Sequence, residues 1–573
     1  MADQFVLDQS TEDIQKEFIF TQKKYVMTTD SNNTNYSQNQ VIMDLANLAN
    51  SGSYINFLQS YQVFPLVLAV NFKADTDNET MLSKTDAIGN NLLASLKNGS
   101  YQIINSVNVL LGSNEVVSIV PYQNLKINYE IVSSWCQDDV DKVGASLHFQ
   151  KESGDTMSFS STVGSNNNKI QGFTQTGAGT YAVTSATKSN IQSTAGMASN
   201  QVNTGRLGRM LRSNIAFDDT NITQLTNTAT ALAHGKDCCE YKATVAGATV
   251  KGSQTMIFYI NATIRLADIH DYFRQAPLHR NSYYQITYNL NINSIVSYKV
   301  ALDGVVSAYT VSSGTNTIPF QTSQLLAGLG NLSKAGTVTA QLTLGVGSSS
   351  VDLASTAKAH VQSSRLYACM MKFTPEHEAR YLSLGGGIRT IKFMETFVQT
   401  GGSLSAVPSG GNVQVLLSGS FPRIRKLILF PFISASANKI GVNPNQSVFA
   451  SEPATCSPYS YIEDFNVVVS GEYIYAQNQK LCYEQYQELL NDNSLNGSLG
   501  RSMNSGLLSQ QDFENGYGFI VCDLSRKNAV EDNIQKSIVV NFVNKSLLAM
   551  DYIAMLFYEK EIMLNVSTGN LQF

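Results

Sequence analysis

The sequence predicts an all-β fold with two sandwiches or barrels. Two segments in the middle of the chain, 258–266 and 284–292, alternate strictly between apolar and polar residues, which is the period expected of a half-buried β-strand. A related strand–helix–strand arrangement returns near the C-terminus. Charged residues make up only 14% of the 573 residues, whereas about 25% is usual in soluble proteins. The length requires at least two domains.

One short helix is predicted between the two alternating segments. Asp268 is placed to cap its first turn, and Pro277 is placed to end it. His270 and His279 flank this helix and can orient the turn, and we expect neither of them to be catalytic. The apolar residues on one face of the helix are Ile269, Tyr272 and Phe273.

The remaining organisation is an arm followed by two domains. The pattern of residues 1–50 predicts a partly helical N-terminal arm with two amphipathic segments. We expect the first domain in 51–300, with a long polar insertion at about 153–230, and the second domain in 301–573. The apolar residues of the two arm segments are Ile14, Phe18 and Phe20, then Val41, Leu45 and Leu48.

Short strand-like runs separated by polar loops account for most of both domains. Two further helices are predicted, one opened by Thr374 and Pro375 and one at 479–490. Many short strands and few helices favour sandwiches, and two eight-stranded jelly rolls would use this length. The predicted strands are 61–73, 101–111, 115–133 and 337–345, then 365–373, 389–398, 412–418, 424–433, 464–475, 517–523, 536–543 and 552–566.

No sequence motif for catalysis, cofactor binding or metal binding is found. His377 and Glu378 would begin a zinc-protease motif, but Tyr381 stands where the second histidine is needed. The glycines at 385–387 favour a turn between strands. The predictions are therefore no catalytic residues, no cofactor and no metal site. The clustered acidic residues, which favour an acidic loop over a calcium site, are Asp138, Asp139 and Asp141.

Charge and cysteine content limit the environment and the partners. The net charge of −5 gives no general attraction to nucleic acid. The basic stretch 206–212 predicts a solvated helix face, with contact to phosphate or an acidic partner as the alternative. Seven cysteines without metal-binding spacing favour free thiols in a reducing compartment. We expect neither a signal peptide nor a membrane span.

Several blocks of the second half, in their order and spacing, resemble a known family. They are 365–373 with the Thr-Pro-Glu helix start, Ser457-Pro-Tyr-Ser-Tyr-Ile-Glu-Asp-Phe, 483–489, 506–511, 523–526, 539–543 and 558–564. In the first half, Ile264-Arg-Leu-Ala-Asp-Ile-His-Asp-Tyr-Phe273 resembles the matching block. The family is the double jelly-roll major capsid proteins of small eukaryotic DNA viruses, namely polinton-like viruses, virophages and adintoviruses.

The resemblance implies a structural function. It implies two jelly rolls side by side, homotrimers that form pseudo-hexagonal capsomers, and an icosahedral virion shell around DNA. The implied partners are further copies of the chain, penton proteins and other minor capsid proteins, with no sequence-specific nucleic acid. The implied location is the virion, with assembly inside the host cell. A β-rich surface adhesin or glycan-binding protein remains the alternative, and an enzyme on a β-sandwich scaffold is a further one.

Overall fold

The fold is described from a computed structural model of the chain. The residues it describes are 19–76, 79–82, 92–151, 173–177, 180–183, 204–213, 237–243, 253–302, 306–312, 315–323, 325, 332–345, 363–401, 406–419, 421–437, 442–448, 460–480, 482–492, 506–515, 517–525, 534–546 and 549–572. Most of the insertion predicted at 153–230 therefore lies outside the described residues, as do Ile14 and Phe18.

Strands dominate the described part of the chain. The strands of the first half are β1 Phe20–Thr29, β2 Gln40–Asp44, β3 Tyr54–Ala74, β4 Ala94–Leu96, β5 Ile104–Leu111, β6 Asn114–Val117, β7 Phe173–Gly177, β8 Thr180–Val183, β9 Cys238–Ala243, β10 Ser253–Arg265, β11 Tyr284–Leu290, β12 Ile295–Val300, β13 Val306–Val311, β14 Phe320–Thr322, β15 Gly336–Leu344 and β16 Arg365–Phe373. Those of the second half are β17 Ile388–Gly401, β18 Asn412–Leu416, β19 Ile424–Ile433, β20 Ile462–Val469, β21 Glu472–Tyr473, β22 Ile520–Asp523, β23 Ile538–Asn544, β24 Met550–Asn565 and β25 Leu571–Gln572.

Helices are few and mostly short. They are α1 Ala46–Ala49, α2 Gln123–Ser134, α3 Gln137–Asp139, α4 Thr204–Ser213, α5 Leu266–Ile269, α6 Asp271–Gln275, α7 Pro375–Ser383, α8 Cys482–Asp492 and α9 Gln510–Asn515. The helices predicted after Thr374 and at 479–490 correspond to α7 and α8.

The second half is a jelly roll by its strand order. One sheet runs β17–β24–β19–β22, with β25 added beside β24, and the other runs β18–β23–β20–β21. Named B to I along the chain, the eight main strands give the orders B-I-D-G and C-H-E-F, the arrangement of two Greek keys folded into a sandwich. The two sheets enclose a core of their own, in which Phe542 of β23 packs edge-on against Tyr552 of β24 at 5.4 Å between ring centroids.

The first half is a larger sandwich. Its main sheet runs β1–β16–β3–β15–β12–β13, and β10 and β9 extend it from the other side of β3. A four-stranded sheet, β2–β11–β5–β6, packs against it. Phe64 of β3 meets Tyr288 of β11 edge-on at 5.5 Å, inside the core. The predicted all-β fold with two sandwiches is confirmed, and this half has more strands than the eight predicted.

The predicted arm and domain boundary need correction. Within 1–50, β1 pairs with β16 and β2 pairs with β11, so residues 20–44 belong to the first sandwich and are not a partly helical arm. The first domain does not end at residue 300, because β15 and β16 both pair with β3. The sequence pattern of a strand indicates which residues are buried but not which sheet receives them, so the boundary could not be placed from it.

The strand predicted at 115–133 is also wrong. β6 ends at Val117, and α2 occupies Gln123–Ser134. In α2 the apolar residues Leu125, Ile127, Tyr129 and Ile131 alternate in sequence, which imitates a strand. Two of the three polar residues between them, Lys126 and Asn128, are buried as well. A helix that is buried over most of its surface lacks the one-sided apolar stripe that identifies a surface helix.

Candidate functional site: the seam between the two sandwiches

In the sheet β17–β24–β19–β22, strands β19 and β22 and the first half of β24 are buried on both faces. Along β19, Leu427 and Leu429 point into the core of the second sandwich, whereas Ile428 and Phe430 belong to the core shared with the first sandwich. Phe557 of β24 belongs to the same shared core. A strand covered on both faces has a continuous apolar sequence, and the run 427–433 in β19 is such a sequence. This shared layer is called the seam below.

Helices α5 and α6 bring the first sandwich onto this sheet. Asp271 accepts a hydrogen bond from the backbone N–H of Met394 in β17 at 3.0 Å. The ring of Tyr272 lies edge-on to Phe393 of β17, with 5.3 Å between centroids. On the other side the hydroxyl of Tyr272 is hydrogen-bonded to that of Tyr284 in β11 at 2.6 Å. The short helix therefore links the first sandwich to the second through both polar and aromatic contacts.

The cap of this helix differs from the predicted one. Asp268 lies in the first turn of α5 and is held by Arg265, whose Nε donates to it at 2.8 Å. His270 is the N-cap of α6, and its Nδ1 accepts the N–H of Tyr272 at 3.2 Å. Because Nδ1 is an acceptor, the proton of the neutral ring is on Nε2. The helix ends at Gln275, two residues before Pro277, as predicted.

A cluster of buried ionisable groups lies beside this cap. Nε2 of His270 is 3.4 Å from Oε1 of Glu395 in β17, and both side chains are 1% exposed. Burial, together with the nearby Lys126 ammonium, holds the pKa of His270 below its ordinary value. Burial alone would raise the pKa of Glu395, but His270, Lys126 and Lys560 lower it. The cluster therefore holds an ionised carboxylate next to a neutral imidazole.

Two lysines complete the cluster from different elements. Lys560 of β24 donates to the carbonyl of Val116 at 2.7 Å, at the edge of the first sandwich's smaller sheet, and its Nζ is 4.0 Å from Glu395. Lys126 of α2 is fully buried, and no hydrogen-bond acceptor for its Nζ lies within the described residues. Glu395 is thus a carboxylate stabilised by the charges of both lysines, of which Lys560 is within ion-pair distance.

A second polar contact joins the sandwiches through Lys426 of β19. Its Nζ is 2.9 Å from Oδ2 of Asp492 in α8 and lies over the ring of Tyr129 in α2, 4.9 Å from the centroid. The hydroxyl of Tyr129 donates to the same Asp492 oxygen at 2.8 Å. Burial would lower the pKa of Lys426, but Tyr129 and Asp492 outweigh it and raise that pKa. The ammonium thus fixes α2 and α8 relative to β19.

A third contact is made by residues 442–448, which follow β19 but dock on the first sandwich. The carbonyl of Asn445 accepts the backbone N–H of Ile318 at 2.8 Å and the buried ammonium of Lys97 at 3.0 Å. The carbonyl of Val448 accepts the N–H of Thr322 at 2.9 Å. Three separate sets of contacts therefore hold the two sandwiches as one body.

The acidic and glycine-rich sites from the sequence have structural roles. Asp139 accepts the N–H of Cys136, and Asp138 pairs with Lys142, so these acids stabilise a local turn. The glycines at 385–387 have φ of 63°, 63° and 78°, the left-handed region that glycine tolerates, and they form the turn between α7 and β17. Among the described residues, no group of three or more His, Cys, Asp or Glu side chains could hold a metal ion.

The basic stretch predicted as a solvated helix face is helical, but it is only partly solvated. Arg209 of α4 is 1% exposed and donates to the backbone carbonyl of Gln150. Arg212 is partly exposed and pairs with the buried Asp237 at 3.4 Å. A basic residue can be buried where a carbonyl and a carboxylate receive its N–H groups. The sequence does not show such partners.

Ser100, His148 and Asp237 form a hydrogen-bonded chain that the sequence analysis did not predict. Oγ of Ser100 is 3.1 Å from Nδ1 of His148, and Nε2 of His148 is 2.5 Å from Oδ2 of Asp237. The order resembles a hydrolase triad. However, Ser100 is 0% exposed and His148 is 2% exposed, and the serine hydroxyl can also donate to the carbonyl of Leu147 at 3.2 Å. A substrate carbonyl has no route to this hydroxyl.

We therefore expect Ser100 to be unreactive in the folded protein. A fluorophosphonate probe, which labels activated serines, should give no adduct at Ser100 because the hydroxyl is enclosed. The measurement is peptide mapping of the treated protein by mass spectrometry, with Ser100→Ala as the background control. An adduct at Ser100 in the folded protein would show that the triad is accessible.

Comparison with known proteins gives likenesses only at the level of structure. No protein-family profile and no curated protein sequence matches the chain. A chain of the Sputnik virophage, solved by cryo-EM, has a TM-score of 0.48 at 10% identity, covering 96% of this chain and 88% of that one. The Faustovirus major capsid protein has a TM-score of 0.43 at 9% identity, and the match covers 95% of this chain and 90% of that chain. The PBCV-1 virus capsid has a TM-score of 0.38 at 8% identity, and the match covers 96% of both chains. At these identities the likeness concerns the fold and does not extend to a function.

Among the described residues there is also no helix long and apolar enough to cross a membrane.

Proposed function

We propose that the chain is a major capsid protein, a structural subunit whose two sandwiches together form one building block of a virion shell. The observation that carries the proposal is the seam, where the inner strands of one sheet are buried on both faces and the two sandwiches share a core. A shell subunit must present its contact surfaces at a fixed geometry. A shared apolar core with buried ionic groups favours one relative orientation, because sliding would expose both.

Threefold assembly is the finer part of the proposal. Three copies of a two-sandwich unit place six similar lobes around one axis, and such near-hexagonal tiles pack on an icosahedral lattice. The sequence segments that resemble double jelly-roll major capsid proteins support the same proposal. The proposed partners are other copies of the chain, together with penton and minor capsid proteins, and the proposed location is the virion.

Negative-stain electron microscopy with light scattering tests this proposal. We expect a compact particle of about 188 kDa, three times the chain mass of 62.5 kDa, with a six-lobed outline. A monomer, or a ring without six lobes, would contradict the trimeric capsomer. Binding of the purified protein to a glycan array in that case would favour the adhesin.

A further inference from the structure

The outer face of β1 and its neighbours combines exposed aromatic and basic side chains. Tyr25 and Met27 of β1 are 48% and 50% exposed and lie on the same side of the strand. The rings of Tyr61 and Tyr367 stack at 4.9 Å with 15° between their planes, and Tyr25 lies 6.0 Å from Tyr61. This set, with Lys23 over the Tyr25 ring at 5.9 Å, is called the β1 face.

Charge on these strands has a single sign. β1, β16 and residues 54–63 of β3 contain no acidic residue. The strand β1 is also at the edge of its sheet, because among the described residues it pairs only with β16. An exposed apolar edge with uniform charge is a surface suited to association with an acidic, apolar segment. The four basic residues of these strands are Lys23, Lys24, Arg365 and Lys372.

Residues 1–18 of the chain have the complementary composition. They contain five acidic residues and one basic residue, together with apolar residues. We propose that residues 1–18 of a second copy bind the β1 face, so that each copy receives an acidic segment from a neighbour. The proposal deepens the capsid function above and rests on it, because it names one contact through which copies join. The apolar residues of the segment include Phe5, Val6, Leu7, Ile14 and Phe18.

The direction of the chain indicates that residues 1–18 bind the β1 face of a neighbouring copy and not that of their own copy. The carbonyl of Ile19 accepts the N–H of Thr374 at 3.0 Å, and Phe20 packs on Phe373 at 4.8 Å. Residue 19 is thus fixed at one end of β1, about 26 Å from Met27 at the rise of a strand. To return to its own β1 face, the segment would need a reversal close to Ile19, and residues 14–18 contain no glycine, proline, asparagine, aspartate or serine for a tight turn.

Photo-crosslinking in the full-length chain tests this directly. A photoreactive phenylalanine analogue replaces Tyr25, and copies labelled with heavy nitrogen are mixed with unlabelled copies before irradiation. We expect adducts between the probe and residues 1–18, with a substantial share joining a heavy copy to a light copy. The matched control carries the same probe at Tyr473, which is also exposed on an edge strand and should not give adducts with residues 1–18.

The electrostatic part is tested by reversing the exposed charge that lies on the β1 face beside Tyr25. Lys23→Glu should lower the adduct yield several-fold, because a negative charge at this position repels the acidic segment. Adducts that map elsewhere, or only within one copy, would overturn the inference. Electron microscopy of the same samples separates the two proposals. Six-lobed particles without these adducts would refute the inference alone. Heavy–light adducts without such particles would refute the capsomer alone.

Discussion

The Glu395→Ala variant is expected to lose about 3–5 kcal/mol of unfolding free energy, the cost typical of breaking a buried ion pair on one side. Glu395 is 1% exposed, and it is the carboxylate that balances Lys126 and Lys560 at the seam. Its removal takes away a negative charge that stabilises the buried Lys126 ammonium, and it takes away the acceptor that faces His270. Urea unfolding monitored by circular dichroism measures the difference.

A second substitution separates the charge effect from the loss of packing. Lys126→Met removes the ammonium while keeping a side chain of similar length. In the Glu395→Ala background it should recover a large part of the lost stability, because no uncompensated charge remains buried. A double-mutant cycle gives the coupling energy. If the stability losses of the two single variants simply add in the double variant, Glu395 and Lys126 do not interact, and the cluster is not the ionic element of the seam.

The strands were predictable because their side chains alternate, and the alternation survives in the structure. In β11 every second residue from Tyr284 to Leu290 is buried, and the residues between them are half-buried. The number of sandwiches was predictable because the strand–helix–strand arrangement occurs twice in the sequence. In contrast, α2 could not be recognised, because Asn124 and Asn128 are buried within a polar network and do not mark a solvent face. Asn124 donates to Gln102 at 2.9 Å, and Asn128 accepts from Asn98 at 3.0 Å.

The seam was less predictable than the fold for a physical reason. Lys126, His270 and Glu395 lie far apart in sequence, and each is an ordinary residue in its own segment. Only the packing of α2, α6 and β17 brings them together. The one available signal was the uninterrupted apolar run of β19, which indicates burial on both faces. That signal places a strand between two layers, but it does not identify the side chains on the other layer.

Lowering the pH from 6.5 to 4 is expected to remove about 3 kcal/mol of stability through His279 alone. His279 is fully buried between the rings of Phe57 and Tyr284, and its Nδ1–H donates to the carbonyl of Pro277 at 2.7 Å. Burial lowers the pKa of His279 to about 4. The unfolded chain takes up this proton near pH 6.5 and the folded chain does not, so the loss begins below pH 6.5 and ends near pH 4.

Two other buried groups titrate in or near this window and must be separated from His279. The pKa of His270 is lowered, so it acts in the same direction. Burial raises the pKa of Asp551 to about 6, and the folded protein therefore binds a proton there more readily than the unfolded chain. This gain offsets part of the loss as the pH falls. The total slope of the parent protein therefore does not report the contribution of His279 alone.

The difference between the parent and His279→Gln isolates that contribution. Glutamine keeps an N–H donor for the Pro277 carbonyl but has no titrating group in this range. Between pH 6.5 and 4 the unfolding free energy of the variant should fall less steeply than that of the parent, by up to about 1.4 kcal/mol per pH unit. His270→Gln, measured in parallel, reports the second histidine. Equal slopes for the parent and His279→Gln would mean that the folded protein binds the proton at His279 as readily as the unfolded chain does.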